Sequence, residues 1–229
     1  MGSNNYGEVD PTNTASSNYT SPRQIHTGKT WVQVAAGRNF SLGLAVSVSG
    51  GVSSYSIYGW GNNTAYQCAP SPVANSPVTQ LTDISAGATN WSQVWAASTT
   101  SAMRKSDGNL YVMGNTGAIN SSNMSQIAGS WTQYTTGASL GYGFQVNGIL
   151  YEMNPNPGTA VAGKSFTQMV SGAEHCLGLK ADGTLWVWGT GPFGQIPPAG
   201  TVGVSYMNQV PGSWSQIAAG AGYTLAIRC

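Results

Sequence analysis

Phe166-Thr167-Gln168-Met169-Val170-Ser171-Gly172-Ala173-Glu174-His175-Cys176-Leu177-Gly178-Leu179-Lys180-Ala181-Asp182-Gly183-Thr184-Leu185-Trp186-Val187-Trp188-Gly189 reads as three short apolar runs parted by two turns. The first turn falls at Ser171-Gly172-Ala173-Glu174. The second, Asp182-Gly183, is a strong short hairpin signal, because both central residues of such a turn need a positive φ. The third run, Leu185-Trp186-Val187-Trp188, closes at Gly189. The stretch predicts a three-stranded antiparallel meander, and Thr190-Gly191-Pro192-Phe193-Gly194 follows as its outgoing loop.

The rest of the chain repeats this meander. An aromatic residue opens each copy: Trp31, Trp91, Trp131, Phe166 and Trp214. The spacings, as differences of those positions, are 60, 40, 35 and 48 residues, in or near the range of propeller blades. Three residues on comes Val34, Val94, Tyr134, Met169 or Ile217; six residues on comes Gly37, Ala97, Gly137, Gly172 or Gly220. Second strands alternate as Leu42/Leu44, Tyr142/Phe144, Leu177/Leu179 and Leu225/Ile227, whereas copy two has Ala102 and Arg104. The hairpin recurs as Asp107-Gly108 and Asn147-Gly148, and copy one has the longer Ser49–Ser54 instead. A fourth strand is expected before each anchor, at Pro22–Ile25, Val78–Leu81, Met124–Ile127 and Met207–Val210, and more weakly at Thr159–Val161.

One such sheet cannot bury its apolar face alone, so copies must stack around an axis. The expected fold is all-β: a five-bladed β-propeller over residues 1–229, one domain, with residues 1–30 as a closing segment. The fifth copy runs only to Ala226-Ile227-Arg228-Cys229, and Gly2-Ser3-Asn4-Asn5-Tyr6-Gly7-Glu8 reads like the loop that follows a third strand. The two terminal segments are therefore expected to share the last blade. A strand equivalent to Leu185–Trp188 appears in neither. Either that blade is short, or residues 9–20 replace the strand, or a neighbouring subunit donates one, which would make a homo-oligomer.

The order of anchor, small turn, apolar pair, Asp-Gly and Leu-Trp-Val-Trp-Gly resembles the repeats of the regulator of chromosome condensation family. Phe166–Gln195 carries the resemblance most fully, and Gly2–Glu8 is similar to the family's loop after the third strand. The resemblance implies a propeller, usually of seven blades, and five copies depart from that. The family's functions are mixed: a nucleotide exchange factor on chromatin, a plant ultraviolet receptor, a bacterial β-lactamase inhibitor. No functional residue of these carries over by position.

Composition narrows the function. Charged residues are 7% of the chain and the net charge is +1. No basic stripe is present to release counterions from a nucleic acid, so nucleic acid is not the expected partner. No apolar leader follows Met1 and no run approaches the ~20 residues of a membrane span, so neither export by a signal peptide nor membrane insertion is expected. A virion or the cytoplasm suits these features. Cys68, Cys176 and Cys229 show no metal-ligand spacing, and Cys176 reads as a small buried hydrophobe. No metal and no cofactor is expected. Gly189–Gly194 resembles a glycine-rich nucleotide loop, but no helix follows it.

Acidic groups are few, and Asp107 and Asp182 belong to turns. Glu152 interrupts a third strand and is free to face a neighbour or a ligand. Neither His26 nor His175 sits in a catalytic constellation, so the chain is not expected to be an enzyme. Binding is expected on the propeller's loop faces. The candidates are Arg38, Asn39, Thr99, Glu174 and His175 on the turns after first strands, and Trp60, Asn62, Trp188 and Phe193 between blades. The leading expectation is a structural or protein-interaction propeller within a larger assembly, such as a virion decoration. The alternatives are a lectin-like glycan binder using the aromatic and amide set, and an inhibitor-like binder that caps an enzyme.

Overall fold

A computed structural model describes residues 2–13, 18–22, 24–70, 77–115, 120–136, 141–152, 160–161, 165–172, 175–189, 207–220 and 222–229. These form two compact units, Met1–Ser130 and Trp131–Cys229.

In the first unit β1 (Thr30–Ala36), β2 (Phe40–Ser49), β3 (Val52–Gly61) and β4 (Val78–Asp83) make one antiparallel sheet in sequence order. A second holds β5 (Trp91–Ala96), β6 (Thr100–Lys105), β7 (Leu110–Asn115) and β8 (Asn120–Ile127). In the second unit β9 (Trp131–Thr136), β10 (Gly141–Gln145), β11 (Leu150–Glu152) and β12 (Ala160–Val161) form a third sheet. A fourth contains β13 (Gln168–Ser171), β14 (His175–Leu179), β15 (Leu185–Gly189) and β16 (Asn208–Val210). The last contains β17 (Trp214–Ala219) and β18 (Thr224–Arg228).

Each sheet opens at or just after an expected anchor. The strand before an anchor pairs with the preceding copy's third strand: Val187↔Asn208 and Tyr58↔Asp83 are such pairs. The sheet opening at Trp214 has two strands among the described residues. No strand is described at Pro22–Ile25, and the N-terminal residues contribute one isolated bridge, Gly2↔Tyr19.

Three sequence features set the blade geometry. The first is a tripeptide of aromatic, hydroxyl or valine, then glutamine: Trp31-Val32-Gln33, Trp91-Ser92-Gln93, Trp131-Thr132-Gln133, Phe166-Thr167-Gln168 and Trp214-Ser215-Gln216. The ladder shifts register between Trp31 and Gln33, Trp91 and Gln93, and Trp214 and Gln216, a β-bulge that re-aims the glutamine. The intervening hydroxyl bonds back to the second strand: Ser92 to Arg104 O at 3.0 Å, Thr167 to Leu179 O at 3.0 Å.

The second feature is a glycine twelve residues after the anchor. A Cβ on Gly178 would lie 2.6 Å from the Phe166 ring, and one on Gly143 would lie 2.8 Å from the Trp131 ring. The bare backbone is the floor on which the anchor lies. The third is the glycine that ends a third strand: Gly61, Gly114 and Gly189 have φ of 101°, 106° and 108°, which side chains rarely adopt.

The core of the first unit gathers Phe40, Leu42, Leu44, Ile57, Trp91, Val94, Met103 and Met113. Cys68 is buried in the same cluster from its loop. In the second unit Phe144, Phe166, Met169 and Trp188 form one cluster and Leu177, Leu179, Leu185, Val187 and Ile217 another. In copy two Ala102 is buried and Arg104 half-buried.

Candidate functional site

The turns that follow β1 and β5 are fastened side by side. Gly37 N donates to Phe40 O at 2.8 Å, and Arg38 N donates across to Ala97 O at 3.1 Å. Asn62 N donates to Asn39 O at 2.7 Å, and Asn115 N to Thr99 O at 3.0 Å. The Thr99 hydroxyl donates to Asn115 O. Asn39 and Thr99 thus hold turns to the outgoing ends of third strands. The Arg38 side chain is exposed on this fixed frame. The structure brings Arg38, Asn39 and Thr99 into one region of the first unit. Glu174 and Phe193 lie outside the described residues.

Asn62 is 9% exposed and its carbonyl accepts from Thr64 N at 2.9 Å, from the Thr64 hydroxyl and from Gln67 Nε2 at 3.2 Å. It organises a turn. The indole of Trp60 is buried and donates to Glu8 O at 3.0 Å, and its ring meets His26 edge-on at 5.7 Å. In the second unit Trp188 is fully buried, stacked on Phe166 with centroids 5.7 Å apart and edge-on to Tyr142 at 5.5 Å. Trp60 and Trp188 therefore offer no ring face to a sugar, and their residue type is spent on packing.

His175 is 1% exposed and faces Thr224, with Nε2 3.0 Å from the hydroxyl. It stands where β2 has Phe40, and Gly172 leaves the space its ring fills. Burial holds its pKa below the ordinary 6.5. The unfolded chain then binds the extra proton first as pH falls. Its stabilising neutral form is complete above pH 6.5 and is eroded below it. We expect His175→Phe to flatten the loss of stability between neutral and mildly acidic pH, read as urea midpoints on both sides of that value. An unchanged pH slope would assign the acid sensitivity to another group, such as His26, whose pKa burial also lowers.

Cys176 is buried as expected, and burial pushes its thiol up to about 12, far from a reactive thiolate. Burial also raises the carboxyl of Glu152, half-buried on β11. Among the described residues no group of three or more His, Cys, Asp or Glu is placed to hold a metal ion. No helix among them is long and apolar enough to cross a membrane.

The residues that organise the loops were not singled out from the sequence. Asn63 is fully buried; its Oδ1 accepts from Cys68 N at 3.0 Å and Ala69 N at 2.9 Å, and its Nδ2 donates to Ala69 O at 3.0 Å. Asn4 does the same near the N-terminus, accepting from Val9 N and Asp10 N, both at 2.8 Å, and donating to Asp10 O at 3.2 Å. Gln67 and Glu8 follow suit, each accepting from a backbone N–H two residues back. Tyr66 and Gly7 share positive φ, 60° and 76°. Residues 2–10 are therefore a second copy of the loop at 61–69. Glu8 O seats it on the first sheet, accepting from Trp60 and, at 2.8 Å, from Ser41.

Known proteins share this design. Residues 166–195 match the regulator of chromosome condensation (RCC1) repeat. Human WBSCR16 superimposes with a TM-score of 0.78 at 17% identity, over 100% of this chain and 66% of its own. Prp20p from Saccharomyces cerevisiae, in a study of its binding to Gsp1p and histones, gives 0.71 at 11% identity, over 93% of this chain and 58% of its own. Yeast RCC1 (Prp20) bound by Kap60 gives 0.71 at 12% identity, over 94% and 57%. The chain thus spans less than two thirds of the length of these relatives. No curated protein sequence matches it. With the repeat matched at 166–195 and five sheets of the blade pattern, the chain is an all-β propeller of the RCC1-repeat type.

Proposed function

We propose that this chain is a non-catalytic protein-binding propeller that works within a larger assembly, such as the surface of a virus-like particle. The observation that carries the reading is the frame around Arg38. Main-chain bonds from Arg38 to Ala97, from Asn62 to Asn39 and from Asn115 to Thr99 fix the turns, and the guanidinium stands exposed on them. An arginine offered from a rigid support loses little freedom on docking, and arginine is enriched among residues that dominate protein interfaces. A weakly charged surface supports the same reading, since few charges would need desolvation on assembly. So does the fold: Prp20p, which shares it, is described with the protein partners Gsp1p, histones and Kap60.

The test is capture from extracts of the native source on immobilised full-length chain, beside the Arg38→Ala variant. A specific partner should appear, and Arg38→Ala should weaken its retention about tenfold, the effect of one interface arginine. Equal retention by both forms would remove Arg38 from the reading. Imaging of the native assembly then locates the chain; its absence from any particle would count against the assembly role.

A further inference from the structure

Two strand faces are exposed that their counterparts elsewhere in the chain keep covered. Along β18, Tyr223, Leu225 and Ile227 alternate on one side and are 61%, 62% and 55% exposed. The equivalent trio on β2, Phe40, Leu42 and Leu44, is 1%, 0% and 0% exposed; on β14, His175, Leu177 and Leu179 are 1%, 0% and 6%. The cover in each case comes from the opening strand of the next sheet. Val94 of β5 joins the cluster of Phe40, Leu42 and Leu44 in the first unit. Ile217 of β17 joins Leu177 and Leu179 in the second.

The covering residue always stands three positions after the anchor. On β1 that residue is Val34, and it is 67% exposed, against 0% for Val94 and 5% for Ile217. One chain thus displays an uncovered socket on β18 and an uncovered knob on β1, both of a kind it joins internally.

A polar brace accompanies each internal joint. Gln33 Nε2 donates to Val94 O at 2.9 Å and Gln33 Oε1 accepts from Val94 N at 3.0 Å. Gln168 Nε2 donates to Ile217 O at 3.3 Å. The corresponding residue beside the β18 socket is Gln216, and it is exposed. Its target in such a joint is the main chain at Val34, on β1, an edge strand of its sheet. None of the residues of either face is charged. The partner that fits the β18 face must bring an edge strand with an aliphatic side chain three residues after an aromatic anchor. The β1 face of this same chain meets that description.

We propose that the Val34 face of β1 docks on the Tyr223-Leu225-Ile227 face of β18 of a second copy, with Gln216 bracing the main chain at Val34. Such a contact is heterologous, so each copy retains one socket and one knob, and copies add until a ring closes or a filament grows. The proposal concerns self-association through strand faces and stands apart from the partner reading of Arg38.

The test uses the full chain and its variants in sedimentation velocity over a wide concentration range. Wild type should associate with increasing concentration. Val34→Asp and Leu225→Asp, both at exposed positions, should each be monomeric alone with unchanged circular dichroism. Mixed in equal amounts they should form a one-to-one dimer and stop, because only the damaged ends remain. Gln216→Ala should raise the association midpoint several-fold. Should an aspartate variant melt early, Val34→Ser and Leu225→Ser replace the pair. A wild type that is monomeric at every concentration, a single variant that still self-associates, or a mixture that stays monomeric would each overturn the proposal.

Discussion

Gly114→Ala is expected to destabilise the first unit by roughly 3–5 kcal/mol, the sum of left-handed backbone strain and a forced steric overlap. Gly114 ends β7 with φ of 106°, and a Cβ there would fall inside the van der Waals radius of Thr99 O, with Thr99 C at 3.2 Å. The obstacle is backbone, which cannot swing aside as a side-chain tip can. The same peptide oxygen accepts from Asn115 N, so a shift that relieves the overlap strains the turn that carries Thr99. Gly50→Ala is the control. Its φ is 57° and nothing lies within 4 Å of the added carbon, so only about 1 kcal/mol is expected. Urea unfolding followed by tryptophan fluorescence compares the two. Similar midpoints would mean the blade end is more pliant than its geometry implies.

Asn63→Ala should cost about 3–4 kcal/mol, because it strands the main-chain groups of Cys68 and Ala69 that the amide serves, at about 1–3 kcal/mol for each buried group left unpaired. Cys68 and Ala69 are both fully buried, so water does not readily replace the lost partner. The amides of Cys68 and Ala69 should lose protection from hydrogen exchange before the rest of the sheet. A loss below 1 kcal/mol with protection intact would mean that the loop is held by its packing against Gly59 and not by Asn63.

The fold was legible in the sequence because the repeat is written in residues that backbone geometry leaves little choice about. Each aromatic anchor and each Asp-Gly or Asn-Gly hairpin led to a strand where one was expected. The strands before the anchors were also legible at Val78, Met124 and Met207, though not that each completes the preceding sheet, since pairing partners leave no local mark. The tripeptide of anchor, hydroxyl and glutamine was visible but uninterpreted; its meaning lies in a bulge and a bond to another sheet. The candidate site was less legible. Trp60, Asn62, Trp188 and His175 are polar or amphipathic types that serve equally for ligands and for packing, and only burial separates the two uses. Asn4 and Asn63 passed unnoticed because a lone asparagine in a loop looks like any solvated turn. The exposure of Val34 and Leu225 was not legible at all, since their counterparts with the same residue types are covered.

The glutamine brace between β1 and β5 speaks only to the peptide group of Val94 and not to its side chain. A joint addressed in that way does not check which residue it receives. Sheets built on it are interchangeable parts: one can be duplicated, lost or replaced by a cousin of different length without rewriting its neighbour. Grafting a whole foreign blade should therefore be easier than altering the strand ends within one.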